Sequence, residues 1–458
     1  MLLGSQFGAF VERSPVSVMV RGVLERAFNS EKTDDLFERV AEVQYTRELT
    51  FSTVVGLMSE VVLGVSSSIH AAYREAGETI PVSITSVYNK LNGVEPEVSA
   101  ELVRDSARQL GPVIRRMKGM APELLPGYRV RILDGNHLSG TEHRIQELRS
   151  TRAGALPGQA LVVLAPELML AVDVVPCEDG HAQERSLLGH VLPMVEPGDL
   201  WIDDRNFCTT TFLFGIARRQ GHFLTRQHGS TLSWELVGKR KRRGKTNRGT
   251  VYEQTVHLYD PERDETLVAR RITVELDQPT RDGETEVHLL TNLPVRDASA
   301  KEVANLYLKR WTIETMFQEL TVALNCEINT LGYPKAALFG FCLALLAYNA
   351  VSVVRAALRA VHGHEKVSEE VSWYHLCNHL ARVYGGMMIA IPPGRWQIFR
   401  ELTDAQFAKL LKELAAKIDL RRFRKHRRGP KKPPPKKSSG AKIKHVSTAR
   451  VLANRKRH

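Results

Sequence analysis

No acidic residue follows Asp419 in this 458-residue chain, although residues 421–458 contain sixteen Lys or Arg. The net charge of +13 therefore leaves −3 on residues 1–420. The body is close to neutral, and the excess positive charge sits in a tail that also holds Pro, Gly and Ser. Such a segment cannot bury enough apolar surface to fold alone. It suits contact with nucleic acid through counterion release; a solubilising tail is the plainer alternative. Cysteine is sparse. Cys177, Cys208, Cys326, Cys342 and Cys377 are scattered, odd in number and lack any Cys-x-x-Cys, which argues for a reducing compartment and against a disulfide framework. The sequence has no Gly-x-x-x-x-Gly-Lys phosphate loop and no Gly-x-Ser-x-Gly elbow, which argues against nucleotide hydrolysis and serine-hydrolase chemistry. The N-terminus lacks the basic and apolar regions of a secretory signal.

Long apolar runs are also few. Ala336 to Val354 carries no charge, but it contains Gly340, Tyr348, Asn349 and Ser352 and reads as a buried core helix rather than a membrane span. With 43% hydrophobic and 25% charged residues, the composition predicts a soluble globular chain of two to four domains. His375-Leu-Cys377-Asn-His379 has the residue types of a zinc site. On a helix, however, Cys377 points away from the two histidines, so the three cannot ligate one ion locally.

Residues 1–125 read as a helical domain. Leu49 to Ala76 is apolar and broken by glycines, Ser83 caps a short helix, and Pro96 opens another. Helices around the Gly77–Pro81 turn fit a helix-turn-helix that binds DNA ends, and plain helical packing fits equally. From Tyr128 the pattern alternates. Strands are predicted at 128–134, 160–165, 168–175, 200–204 and 221–226, with helices at 183–194 and 209–220, which together make a mixed sheet flanked by helices. This α/β core runs over 126–228 and resumes over 296–360. Between them, 229–295 reads as a β-rich insertion that opens with a basic loop, Lys239-Arg240-Lys241-Arg242-Arg243, suited to a nucleic-acid backbone or simply solvated. Residues 361–420 read as a helical C-terminal region, and 421–458 as an unstructured basic tail.

The chemistry concentrates in three places. On a continuous helix, Tyr307, Arg310 and Glu314 form one polar stripe within about 60° of arc. Leu306, Ile313, Phe317, Leu320 and Leu324 occupy the adjoining arc, so the stripe borders the core. Alone, it is also explained by an i,i+4 ion pair on an amphipathic helix. Asp134 ends one predicted strand and is followed by Gly-Asn-His. Asp204 ends another and is followed by Arg205-Asn-Phe. A strand-end Asp is by itself commonly a turn former. Three carboxylates from separated elements converging at one sheet edge suit hard cations, Mg²⁺ or Mn²⁺. Two such ions about 3.5–4 Å apart serve phosphoryl transfer.

Leu-Asp134-Gly-Asn, Ile-Asp-Asp204-Arg-Asn-Phe207 and Tyr307-x₂-Arg310-x₃-Glu314 resemble the motifs of the DDE transposases. The match is to the insertion-sequence-four family, whose ribonuclease-H-like core carries a β-strand insertion before the final Glu. The resemblance covers roughly residues 126–350. It implies that Asp134, Asp204 and Glu314 are the catalytic, metal-binding triad for two Mg²⁺ ions, with Mn²⁺ as a substitute. Tyr307 and Arg310 would contact DNA phosphates, Trp311 takes the place of the family's aromatic, and Arg205 and residues 239–243 are further DNA-binding candidates. Asp204 is chosen over Asp203 because Arg-Asn-Phe follows it and because alternation turns only one of the two towards the site. The implied partners are double-stranded DNA (terminal inverted repeats and target DNA) and a second copy in a homodimeric synapse, in the cytoplasm of a bacterium. One departure stands out: the family's Lys seven residues after the Glu is Thr321 here. A catalytically inactive DNA-binding descendant and a metal-dependent nuclease of the same fold therefore remain as alternatives.

Overall fold

β-branched and apolar residues alternate along five segments of the central sequence and build the inner half of a nine-stranded sheet. The computed structural model describes residues 3–44, 46, 48–139, 145–149, 153–280, 282–426 and 445–455. In chain order the strands are β1 (Arg129–Leu138), β2 (Gly154–Leu156), β3 (Gly158–Ala165), β4 (Leu170–Cys177), β5 (Asp199–Asp203), β6 (His222–Arg226), β7 (Ser233–Lys245), β8 (Gly249–Asp260), β9 (Glu265–Leu276), β10 (Glu286–Thr291) and β11 (His445–Ser447). The large sheet runs β4-β3-β1-β5-β6-β10-β9-β8-β7. β4, β3 and β1 are antiparallel, β1, β5 and β6 are parallel, and β10 rejoins β6 antiparallel. Three antiparallel strands followed by two parallel ones, with helices on both faces, make the ribonuclease-H-like mixed sheet. The insertion is not a separate layer, because its strands extend the same sheet through β10.

Alternation decides what each face meets. Val130, Ile132, Leu200 and Ile202 pack into the larger core, whereas Leu133 and Trp201 pack into a smaller one with Phe207, Phe212 and Phe223. The larger core is built on the helix Pro334–His362, whose 18-residue apolar window is wholly buried. Phe51–Val62, Pro96–Met117 and Asp404–Ala416 pack around it. Local signals start two of these helices: Thr50 accepts from Thr53 N, and Thr403 and Gln406 form a reciprocal capping box. The N-terminal and C-terminal helical regions therefore share one continuous core against the sheet.

Four expectations need correction. β1 continues to Leu138, so Asp134 is internal to its strand; it lies just past Ile132, the last residue paired with β5. The basic run 239–243 is not a loop but part of β7, paired with β8 through register shifts on either side of Lys241–Arg242. The region 183–194 is three short helical turns, not one helix. Residues 445–455 are not unstructured. β11 pairs with β2, and the helix Thr448–Arg455 closes a small cluster of Val446, Val451 and Leu452 on Ile145, Leu148 and Ala155. Ser447 Oγ and Arg450 Nε fix it to Asp179 at 2.6 and 2.8 Å. A basic composition forbids independent folding, not docking on a preformed surface. The start of the expected tail is also ordered, with Leu420–Phe423 a 3₁₀ turn and Arg424 bridged to Val371; 427–444 and 456–458 lie outside the described residues.

Candidate active site

The edge of β1 and β5 is where the parallel pairing stops and the two strands part. Even-numbered residues on both face the larger core side, so Asp134 and Asp204 inherit the direction of Ile132 and Ile202. Asp204 directly follows β5 and keeps an extended backbone, φ −87° and ψ 167°. Asp203 turns the other way. It is fully buried, and only the Thr225 hydroxyl acts on it as a donor among the described residues. Burial and the neighbouring Asp204 charge hold its carboxyl well above the usual range.

Opposite these strands lies the segment that carries Tyr307, Arg310 and Glu314. It is not one continuous helix. Ala300–Tyr307 is capped by a Ser299–Glu302 box, Leu308–Arg310 forms a 3₁₀ turn, and Trp311–Ala323 follows. A 3₁₀ turn has about three residues per turn, so Tyr307 and Arg310 fall one above the other. Ile313 and Leu320 are fully buried and hold Trp311–Ala323 to the core.

The side chains converge on Arg310. Its Nη1 is 3.2 Å from Asp134 Oδ2, and its Nη2 is 2.6 Å from Glu314 Oε1. Tyr307 Oη donates to Asp204 Oδ1 at 3.4 Å. Burial pushes the Asp134 carboxyl up to about 6; Arg310 and the Gly135 N–H oppose that rise, and Asp204 and Glu314 add to it. Burial, then the Asp204 charge, also drive the Tyr307 phenol up. Burial disfavours the Arg310 charge, but Tyr307, Asp204, Asp134 and Glu314 together outweigh it and raise its pKa. The centre is thus an acidic cluster balanced by one guanidinium. Its all-oxygen donors suit a hard divalent cation. Among the described residues, no three His, Cys, Asp or Glu side chains stand at the spacing that closes on one ion. Asp134 and Glu314 are instead bridged through Arg310.

The other candidates lie further out. Trp311 is half-exposed, at 46%. Arg205 stands 3.5 Å from Glu284, which also pairs with Arg226. Arg226, on β6 between β5 and β10, is close enough to act on Tyr307, and no sequence motif marked it. Thr321 Oγ1 donates to its own helix at Phe317 O, 2.9 Å away. On β7, the outer edge of the sheet, Arg240 pairs with Glu275 and Glu286, and Arg243 with Glu253. Lys239, Lys241 and Arg242 have no ion pair among the described residues. Asp173 is held by Arg104 Nε at 2.7 Å and lies in a structural ion pair. His379 meets Ser14 Oγ at 2.7 Å, while Cys377 is buried.

The mixed sheet thus carries its acidic side chains where β1 and β5 part. Residues 125–350 match the family model described as "Transposase DDE domain". That is just under half of the chain, and over those residues it carries a transposase DDE domain. One similar solved structure is the piggyBac transposase synaptic complex with hairpin DNA, at 9% identity and a TM-score of 0.37 over 80% of each chain. Identity and score are both too low to bear on what this chain binds. No curated protein matches the sequence.

Proposed function

We propose that the chain is a transposase that cleaves DNA at the ends of an insertion sequence and joins the freed 3′-OH to target DNA, in the bacterial cytoplasm. The supporting observation is the meeting of Asp134, Asp204 and Glu314 around Arg310 and Tyr307, inside the segment that matches the DDE domain. Asp134, Asp204 and Glu314 would hold two Mg²⁺ or Mn²⁺ ions. The ions would supply a polarised attacking oxygen and charge stabilisation at the leaving one. Arg310 now neutralises Asp134 and Glu314; a DNA phosphate drawn onto its guanidinium would leave both carboxylates in need of a cation. Tyr307 keeps its proton by virtue of burial and is a donor to a phosphate oxygen. Arg205, Trp311 and the β7 cations Lys239, Arg240, Lys241, Arg242 and Arg243 would contact DNA further from the scissile bond. Partner ends would be brought together in a homodimeric synapse.

The test is an in vitro assay on end-bearing DNA with Mg²⁺ and with chelator. Glu314→Gln is expected to lose Mg²⁺-dependent cleavage by at least about a thousandfold while still binding the terminal repeats. Undiminished cutting would remove this helix from the mechanism. Thr321, which brings no cation to the site, favours the second reading of an inactive DNA-binding descendant. Chelator-sensitive cleavage by the wild type excludes that reading. Cutting without joining of a pre-nicked 3′-OH end would mark a nuclease instead.

A further inference from the structure

We propose that Glu184 is a positioning residue that ties the strand bearing Asp134 to the turn that follows Asp204. The inference rests on the reading of those two aspartates as the metal-holding pair. Glu184 opens the short turn Glu184–Leu187, which packs against Arg205–Phe207. Its Oε2 accepts from Asn206 Nδ2 at 2.5 Å, and its Oε1 stands 3.8 Å from His137 Nδ1. Arg185 Nη2 donates to the other end of the Asn206 amide, at 3.3 Å. On the β1 side the fit depends on glycine. A Cβ built on Gly135 would overlap Glu184 Oε1, so the carboxylate reaches this place only because the residue after Asp134 has no side chain. One largely buried acid, 18% exposed, thus lies against the neighbours of both aspartates.

The arrangement explains two motif residues, one of which, Gly135, also donates its N–H to Asp134 Oδ1 at 2.9 Å. Gly135 makes room for Glu184, and Asn206 receives it. Asp204 lies beyond the last paired residue of β5, so its direction depends on what the Arg205–Phe207 turn is fastened to. Glu184 supplies that fastening and references it to β1. Contacts behind metal ligands set ligand direction, and their loss costs about 10–100-fold in metal affinity. A merely structural role for Glu184 would lower the melting temperature and leave the metal affinity of the folded protein unchanged.

The experiment is a titration of the full chain with Mn²⁺ alone at neutral pH, with free Mn²⁺ followed by electron paramagnetic resonance and melting temperature measured in parallel. Glu184→Ala and Asn206→Ala are each expected to weaken Mn²⁺ binding about 10-fold while remaining folded. Glu184→Gln, whose amide oxygen still accepts from Asn206, is expected to recover most of that loss. Gly135→Ala displaces the carboxylate without deleting a hydrogen-bonding group and should also weaken binding, which keeps the test intact if Glu184→Ala fails to fold. Unchanged affinity in the folded Ala variants overturns the proposal, as does a Gln variant as weak as Ala. Asp134→Asn and Asp204→Asn separate the two failures: if neither weakens Mn²⁺ binding, the underlying site reading falls, and Glu184 falls with it.

Discussion

The inner and outer halves of the sheet treat charge in opposite ways. Around β1, β5 and β6 both faces are covered, and the acids there are desolvated: Asp134 is pushed up to about 6 and Asp203 well above the usual range. Further out, the edge strand β7 is largely exposed, and its bases meet acids on neighbouring strands that neutralise them, as in Arg240 with Glu275 and Glu286. A buried acid keeps its proton unless a cation stands in for the water that the ionised form has lost. An exposed base in an ion pair demands little, since solvent and salt screen it. The inner half is therefore where a metal and a phosphate can change the protein's energy. The outer half can add only graded, salt-sensitive attraction.

Substitutions in the two halves should accordingly differ in kind. The largest effect is expected at Asp204→Asn, which should abolish metal-dependent cleavage, whereas Asp203→Asn should retain it. Equal loss in both, measured by end cleavage at saturating Mg²⁺, would break the distinction drawn from alternation along β5. Next, in the inner half, proton and metal should compete at Asp134. Mn²⁺ affinity is expected to fall as pH drops through about 6, approaching about tenfold per unit, because a ligand must lose its proton to bind. A flat affinity between pH 5 and 7.5 would contradict this. The same raised value has a sign for the metal-free protein. A carboxyl that binds its proton more tightly when folded loses stability as pH rises from its unfolded value towards 6. Asp134→Asn should remove that decline, as read from melting temperature against pH.

Smaller effects are expected in the outer half. Replacing Lys239, Lys241 and Arg242 with Ala should weaken DNA binding evenly across sequences and reduce the salt slope by roughly 3, with cleavage at saturating DNA unchanged. A change in cleavage without a change in salt slope would place the strand at the reaction instead. Smallest of all, Arg243→Ala removes a partly exposed partner of Glu253, which Arg270 still holds at 2.7 Å. Its cost should stay below about 1 kcal/mol in chemical unfolding.

What was legible in the sequence follows the same division. The strands of the inner half were readable because both faces are buried and the residues had to be apolar. The Tyr307, Arg310 and Glu314 stripe was readable because their common side is imposed by helical geometry, and the 3₁₀ turn at Leu308–Arg310 preserved it. Asp204 was chosen over Asp203 by the Arg-Asn-Phe that follows it and by parity, and the two do face opposite sides of β5. The basic run was misread as a loop because Lys and Arg are poor markers of strand. The basic part of β7 is held by backbone pairing to β8 and by paired acids, whereas the apolar contacts of the strand, Trp234 and Leu236, come before it. Glu184 was missed because its role depends on Gly135 and Asn206, which lie far from it in sequence. Docking of residues 445–455 was missed for a related reason. Asp179 and Glu147 receive Arg450 and Arg455, and nothing local to the tail announces them.

Iron can stand in for the proposed ions and mark where they are held. The full chain, loaded with Fe²⁺ in place of Mg²⁺ and treated with ascorbate and peroxide, should be cut by hydroxyl radicals near residues 134, 204 and 314, and excess Mg²⁺ should suppress all three cuts. Scission elsewhere, or cuts at those places that Mg²⁺ leaves unaffected, would contradict the assignment of Asp134, Asp204 and Glu314 to one metal-holding centre.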